Sequence, residues 1–204
     1  SLNTLLEIYV KEREWEKAIE KATELEKVSG VSFRISISHY LCEIAVNQIL
    51  NKKYNLAKKT LDKALEESKN CIRANILLGD IYAEEKLYDD AILYWKKIEF
   101  QQPEYLGLVA PKIINTLQAT GKINEGLSIL ARFFDLYKLK TLLNVLYENV
   151  LANEGASQAE TIARNEMIQR PSLYALDKLF QAQAIGKTSK IDNIELIQQT
   201  IKNT

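Results

Sequence analysis

The chain has 204 residues, 47% of them hydrophobic, with seven Gly, three Pro and 27 basic against 27 acidic side chains. The apolar content suffices for a continuous core in one elongated domain, and so few Gly and Pro argue against a β-rich or linker-rich protein. The zero net charge gives no electrostatic case for nucleic acid, and no stretch approaches the apolar length that spans a bilayer.

In chain order, one pattern of large and small apolar residues keeps returning. It starts with Leu5, Leu6, Tyr9, Trp15, Ala18, Ala22 and Leu25. After an interval five residues longer than the others it reads Ile44, Ala45, Gln48, Tyr54, Ala57, Leu61 and Ala64. Shifted by 34 residues it reads Leu78, Gly79, Tyr82, Tyr88, Ala91, Trp95 and Ile98, closed by Pro103. One residue out of step come Ile113, Ile114, Leu117, Ile123, Gly126, Leu130 and Phe133. Leu146, Tyr147, Val150, Ala156, Ala159, Ala163 and Pro171 follow. A last pair, near 173–184 and 193–202, has lost the pattern and reads as a degenerate or capping unit.

A period of 34 with small residues at fixed offsets is the tetratricopeptide signature. It predicts an all-α, right-handed helical solenoid of about six helix pairs, forming one domain over residues 1–204. The repeats fall at 1–30, 31–69, 70–103, 104–138 and 139–171, with the capping pair at 172–204. Gly79 and Ala45 let the two helices of a pair approach, and Ala91 and Ala57 do the same from the other side. Pro103 is expected to end its helix, because it lacks an amide proton. The wider interval makes Val31–Asn51 one long first helix; its alternating start, Val31, Phe33, Ile35 and Ile37, also fits an edge strand. Helix is preferred, because the stripe continues through Leu41, Ile44 and Ala45.

No catalytic constellation stands out. Cys42 and Cys71 are the only cysteines, without close zinc-type spacing or a secretory leader, which fits buried or half-buried thiols in a reducing compartment. His39, the only histidine, shares a helical face with Cys42 and Glu43. A zinc site needs a fourth ligand there, and Cys71 belongs to the next first helix, so Cys42 reads as a small packing residue and His39 as a groove or capping residue. The lysines Lys52, Lys53, Lys58, Lys59 and Lys63 read as a solvated face partnered by Asp62, Glu66 and Glu67. The start at Ser1, inside a repeat, fits a piece cut from a longer protein.

Three strips carry more than repeat character: Tyr9–Val28, Ile37–Ala45 (ISHYLCEIA) and Ala57–Leu65. With Leu77–Ile98 they resemble the lipopolysaccharide assembly protein B family, over most of the chain and as far as Arg170–Pro171. The resemblance implies a cytoplasmic repeat domain at the bacterial inner membrane, with an N-terminal anchor and a C-terminal zinc ribbon outside this segment. No cofactor is expected in the segment itself. The implied role is an adaptor that helps the membrane AAA+ protease FtsH degrade the deacetylase committing precursor to lipid A. Other lipopolysaccharide assembly proteins are further implied partners, and a homodimer is left open. The mechanism would be recruitment at high effective concentration.

In tetratricopeptide units the first helix of each pair lines the concave face. That places His39, Arg73, Asp80, Asn115, Gln118, Asn144 and Glu148 toward the groove, with Arg73 and Asp80 leading because charges in a concavity orient partners. Two alternatives stand beside the adaptor. One is a generic co-chaperone or secretion-complex scaffold that binds a peptide in the groove, which a cluster of groove cations would favour. The other is a substrate-binding module of an enzyme whose catalytic domain lies outside these residues.

Overall fold

Periodicity becomes helix pairs in the computed structural model, which describes residues 2–187 together with 197, 198 and 201. The chain divides into two compact units, residues 1–109 and 110–204. In the first, α1 (Leu2–Lys11), α2 (Trp15–Ser29), α3 (Arg34–Leu50), α4 (Tyr54–Glu67), α5 (Ile72–Glu84) and α6 (Tyr88–Lys96) each pack on the next. The short α7 (Ile98–Gln101) and a 3-10 turn (Pro103–Tyr105) follow. The boundary between units falls within α8 (Leu106–Ala119). In the second unit, α9 (Ile123–Tyr137), α10 (Lys140–Asn153), α11 (Ala156–Gln169) and α12 (Leu173–Gly186) again pack each on the next. The fold is all-α among the described residues, of stacked antiparallel pairs as in a tetratricopeptide solenoid. The second helix expected for the last pair, near 193–202, lies largely outside the described residues.

Small residues set the pair spacing. Ala18, Ala22, Ala45, Ala57, Ala64, Ala74 and Ala91 are all fully buried. Around them pack Leu61, Leu78, Ile81 and Trp95, none more than 2% exposed. Gly79 is the tightest point of the first unit, since a Cβ there would lie 2.4 Å from Nε1 of Trp95. In the second unit Gly126 plays the same part, with its missing Cβ 2.5 Å from Cδ1 of Ile114.

The repeat is also written in the backbone of the turns. Arg13, Lys52, Lys86, Gly121 and Gly155 all have positive φ, between 57° and 95°, in the turn inside a pair. The last four recur at intervals of 34, 35 and 34 residues. At the first four of these turns the next amide bonds back five residues: Glu14 to Tyr9, Lys53 to Gln48, Leu87 to Tyr82 and Lys122 to Leu117. This Schellman-type closure satisfies carbonyls that a helix end leaves open. Glycine suits the left-handed residue, yet three of the five turns use Arg or Lys. Lys86→Gly is therefore expected to stabilise the chain by about 0.5–1 kcal/mol, read as a higher urea midpoint.

Three local expectations change. Helix α3 begins at Arg34 rather than Val31, because Gly30 takes φ 70° and ends α2. Ser29 Oγ then accepts from the Val31 amide at 3.2 Å and Ser32 Oγ from the Arg34 amide at 3.4 Å, holding a non-helical turn. Pro103 does not end a helix. Gln102 is already extended (φ −152°), as a residue before proline prefers, and Pro103 opens the 3-10 turn. Lys58 finds its carboxylate in Glu85 at 2.8 Å, and Glu67 pairs with Arg34 at 3.1 Å, so these ions link different helices rather than one face.

Candidate partner-binding surface

The seven residues singled out from sequence all fall on first helices: His39 on α3, Arg73 and Asp80 on α5, Asn115 and Gln118 on α8, and Asn144 and Glu148 on α10. His39, Asn115 and Gln118 are exposed, and the last two side chains make no hydrogen bond or ion pair among the described residues. The other four are engaged. Arg73, exposed at the start of α5, forms an ion pair with Glu43 of α3. Asp80 is half-buried and accepts a hydrogen bond from Trp95 Nε1 at 3.1 Å, which fixes the ring lying on Gly79. Its first role is therefore inside the helix pair.

In the second unit a ladder joins α10 to α12. The Tyr174 hydroxyl donates to Asn144 Oδ1 at 2.8 Å, and Lys178 Nζ donates to Glu148 Oε1 at 2.5 Å. The Tyr147 hydroxyl donates to the Lys178 carbonyl at 2.8 Å, and Lys140 lies over the Tyr174 ring at 4.3 Å. Lys178 is only 7% exposed, so Glu148 supplies the counter-charge a buried ammonium needs. Burial raises the pKa of both tyrosine hydroxyls, which keeps them protonated donors at neutral pH.

Sequence reasoning missed Lys178, and it missed the partners of Glu43 and Tyr174. Yet Glu43–Arg73, Asn144–Tyr174 and Glu148–Lys178 are each separated by 30 residues. That is one period less one helical turn, the offset at which successive first helices bring side chains together. A scan for complementary polar pairs at this spacing finds all three.

Beside the second-unit ladder lies a cleft of 470 Å³, bordered by Lys138, Lys140, Arg170 and Tyr174, with Leu143 and Glu166. Two of its three cations already have carboxylates: Arg170 meets Glu166 at 2.5 Å and Lys138 meets Asp135 at 3.2 Å. The face therefore carries amides, hydroxyls and charges that are largely paired with one another. Among the described residues there is no cluster of three His, Cys, Asp or Glu side chains fit to hold a metal ion. No helix of the described residues is long and apolar enough to cross a membrane.

The expectation that Cys71 stands apart from the α3 face is corrected. Cys71 caps the start of α5, and its sulfur lies 3.7 Å from that of Cys42. The turn ahead of α5 folds back onto α3, a contact that linear spacing does not reveal.

No family model matches the chain. Lipopolysaccharide assembly protein B of Escherichia coli K12 is 25% identical over 179 residues, covering 88% of this chain. The protein of that name from Haemophilus influenzae is 25% identical over 211 residues, covering all of it. The chain is similar to lipopolysaccharide assembly protein B. It spans about half the length of these lipopolysaccharide assembly protein B relatives, 46% and 53% respectively. Among solved structures, a Podosopora anserina protein with nearly identical TPR-like repeats has a TM-score of 0.48 at 13% identity, over 93% of this chain and 96% of that one. YrrB, a TPR protein with an unusual peptide-binding site, has a TM-score of 0.42 at 17% identity, over 88% and 90%.

Proposed function

We propose that the chain is a non-catalytic protein-binding scaffold in the control of lipopolysaccharide synthesis. In this reading it is an adaptor at the cytoplasmic face of the bacterial inner membrane, bringing the lipid A pathway deacetylase to FtsH. The observation that carries it is the similarity to lipopolysaccharide assembly protein B along 88% to 100% of the chain. The polar ladder on the first helices supports it physically, because it presents preset donors and acceptors on a framework held by buried alanines. The chain makes and breaks no bonds here; it raises the local concentration of substrate near protease. A zinc ribbon and a membrane anchor belong to the longer protein in this reading, not to these residues.

A second reading, a scaffold for an acidic peptide, draws on Lys138, Lys140 and Arg170 around the second-unit cleft. It is the weaker one, because Lys138 and Arg170 already have carboxylate partners. One experiment separates the two: binding of the chain to the purified deacetylase and to the cytosolic part of the protease, with an acidic peptide as competitor. Saturable binding to either protein that the peptide leaves intact supports the adaptor. Binding of the peptide alone supports the second reading.

A further inference from the structure

The one pair of nucleophilic side chains that the scaffold reading leaves unused is Cys42 and Cys71. Both are buried, at 0% and 5% exposure, with their sulfurs 3.7 Å apart and neither in a disulfide. That is van der Waals contact, and a disulfide needs about 2.05 Å between sulfurs, so the two must approach further before a bond forms. The two sulfurs are not equivalent. Cys42 sits in the middle of α3, whereas Cys71 is the N-cap of α5, next to the exposed turn residues Lys69 and Asn70. Contact with Cys42, together with Ser38 and the Ala74 amide at the start of α5, lowers the Cys71 pKa against the opposing effect of burial, while Cys42 is pushed up. Cys71 is then the thiolate nucleophile and Cys42 the resolving thiol.

We propose that Cys42 and Cys71 form a redox-responsive pair, in which a peroxide converts the two thiols into a disulfide stapling α3 to α5. The Cys71 thiolate attacks one peroxide oxygen and breaks the O–O bond, giving a sulfenic acid and hydroxide. The Cys42 sulfur then attacks the sulfenic sulfur; the S–O bond breaks, and the Cys42 proton leaves with the hydroxyl as water. The hydroxide from the first step takes up the proton that Cys71 had released. In sum, two thiols and one hydrogen peroxide give one disulfide and two waters. The bridge closes a loop of 29 residues and fixes the spacing of two neighbouring first helices beneath the Glu43–Arg73 pair.

The test uses the chain as it stands, treated with hydrogen peroxide near stoichiometry. The expected product is monomeric and two mass units lighter. A peptide containing Cys42 is joined to one containing Cys71, and Tm rises by roughly 5–10 °C, reversibly with dithiothreitol. In Cys42→Ser a sulfenic acid at Cys71 should persist and be trapped by dimedone. Cys42→Ala, which keeps the site apolar, repeats this arm if the serine variant unfolds. Disulfide-linked dimers, reaction of the two thiols only after unfolding, or a first oxidation at Cys42 in Cys71→Ser as fast as at Cys71 would each overturn the proposal.

Discussion

Truncating Leu78 to alanine is expected to lower the unfolding free energy by about 2–5 kcal/mol, read from the urea midpoint at unchanged slope. Leu78 is 1% exposed and belongs to the cluster that joins α3, α4 and α5 through Cys42, Ala45, Ala57, Leu61, Ala64 and Ala74. Four of the eight other buried residues in that cluster are alanines, which have no longer rotamer with which to fill the space. The site therefore relaxes little, and the cost belongs in the upper part of that range. Lys59→Ala is the matched control, since Lys59 is exposed on α4 and should stay within about 0.5 kcal/mol of the parent. Equal losses at the two positions would contradict the register of the helix pairs.

Gly79→Ala is the second large effect, and its sign opposes local propensity. Within a helix, alanine should gain about 1 kcal/mol over glycine. Here the added methyl would meet the Trp95 indole at 2.4 Å from Nε1 and 2.5 Å from Cδ1. The ring is 2% exposed and tied to Asp80, so it has nowhere to swing. The net expectation is a loss of about 1–3 kcal/mol. Replacing Trp95 with leucine in the same chain should remove the clash, so the double variant is expected to lie above the sum of the two single losses. A stabilising Gly79→Ala would show that α5 and α6 do not approach as closely as described.

Much of the fold was legible because packing leaves a residue-by-residue trace. Gly79, Ala45, Ala57 and Ala91 betray the helix spacing, since nothing larger fits. The longer first interval and the one-residue slip reappear as the positions of Lys52 and Gly121 in their turns. Less legible were features set by a few local bonds. The Ser29 and Ser32 hydroxyls delay α3, and an extended Gln102 turns Pro103 from a stop into a start. Left-handed turns carrying Lys in place of Gly hid a repeat feature that composition alone does not flag. The candidate surface was half legible. First-helix positions follow from the period, but Asp80 reads as exposed until its bond to Trp95 is seen, and Cys71 reads as distant until the turn before α5 folds back. The pairs 30 residues apart needed the offset between first helices, which is a tertiary quantity.

The measurement that tests the scaffold account most directly is hydrogen exchange of the chain with and without the purified deacetylase at saturating concentration. The account predicts slowed exchange in α3, α5, α10 and α12, around His39, Arg73, Asn144 and Tyr174, with α4, α6, α9 and α11 little changed. Binding that protects only those second helices, or protects nothing, would contradict the assignment of the partner surface to the first helices.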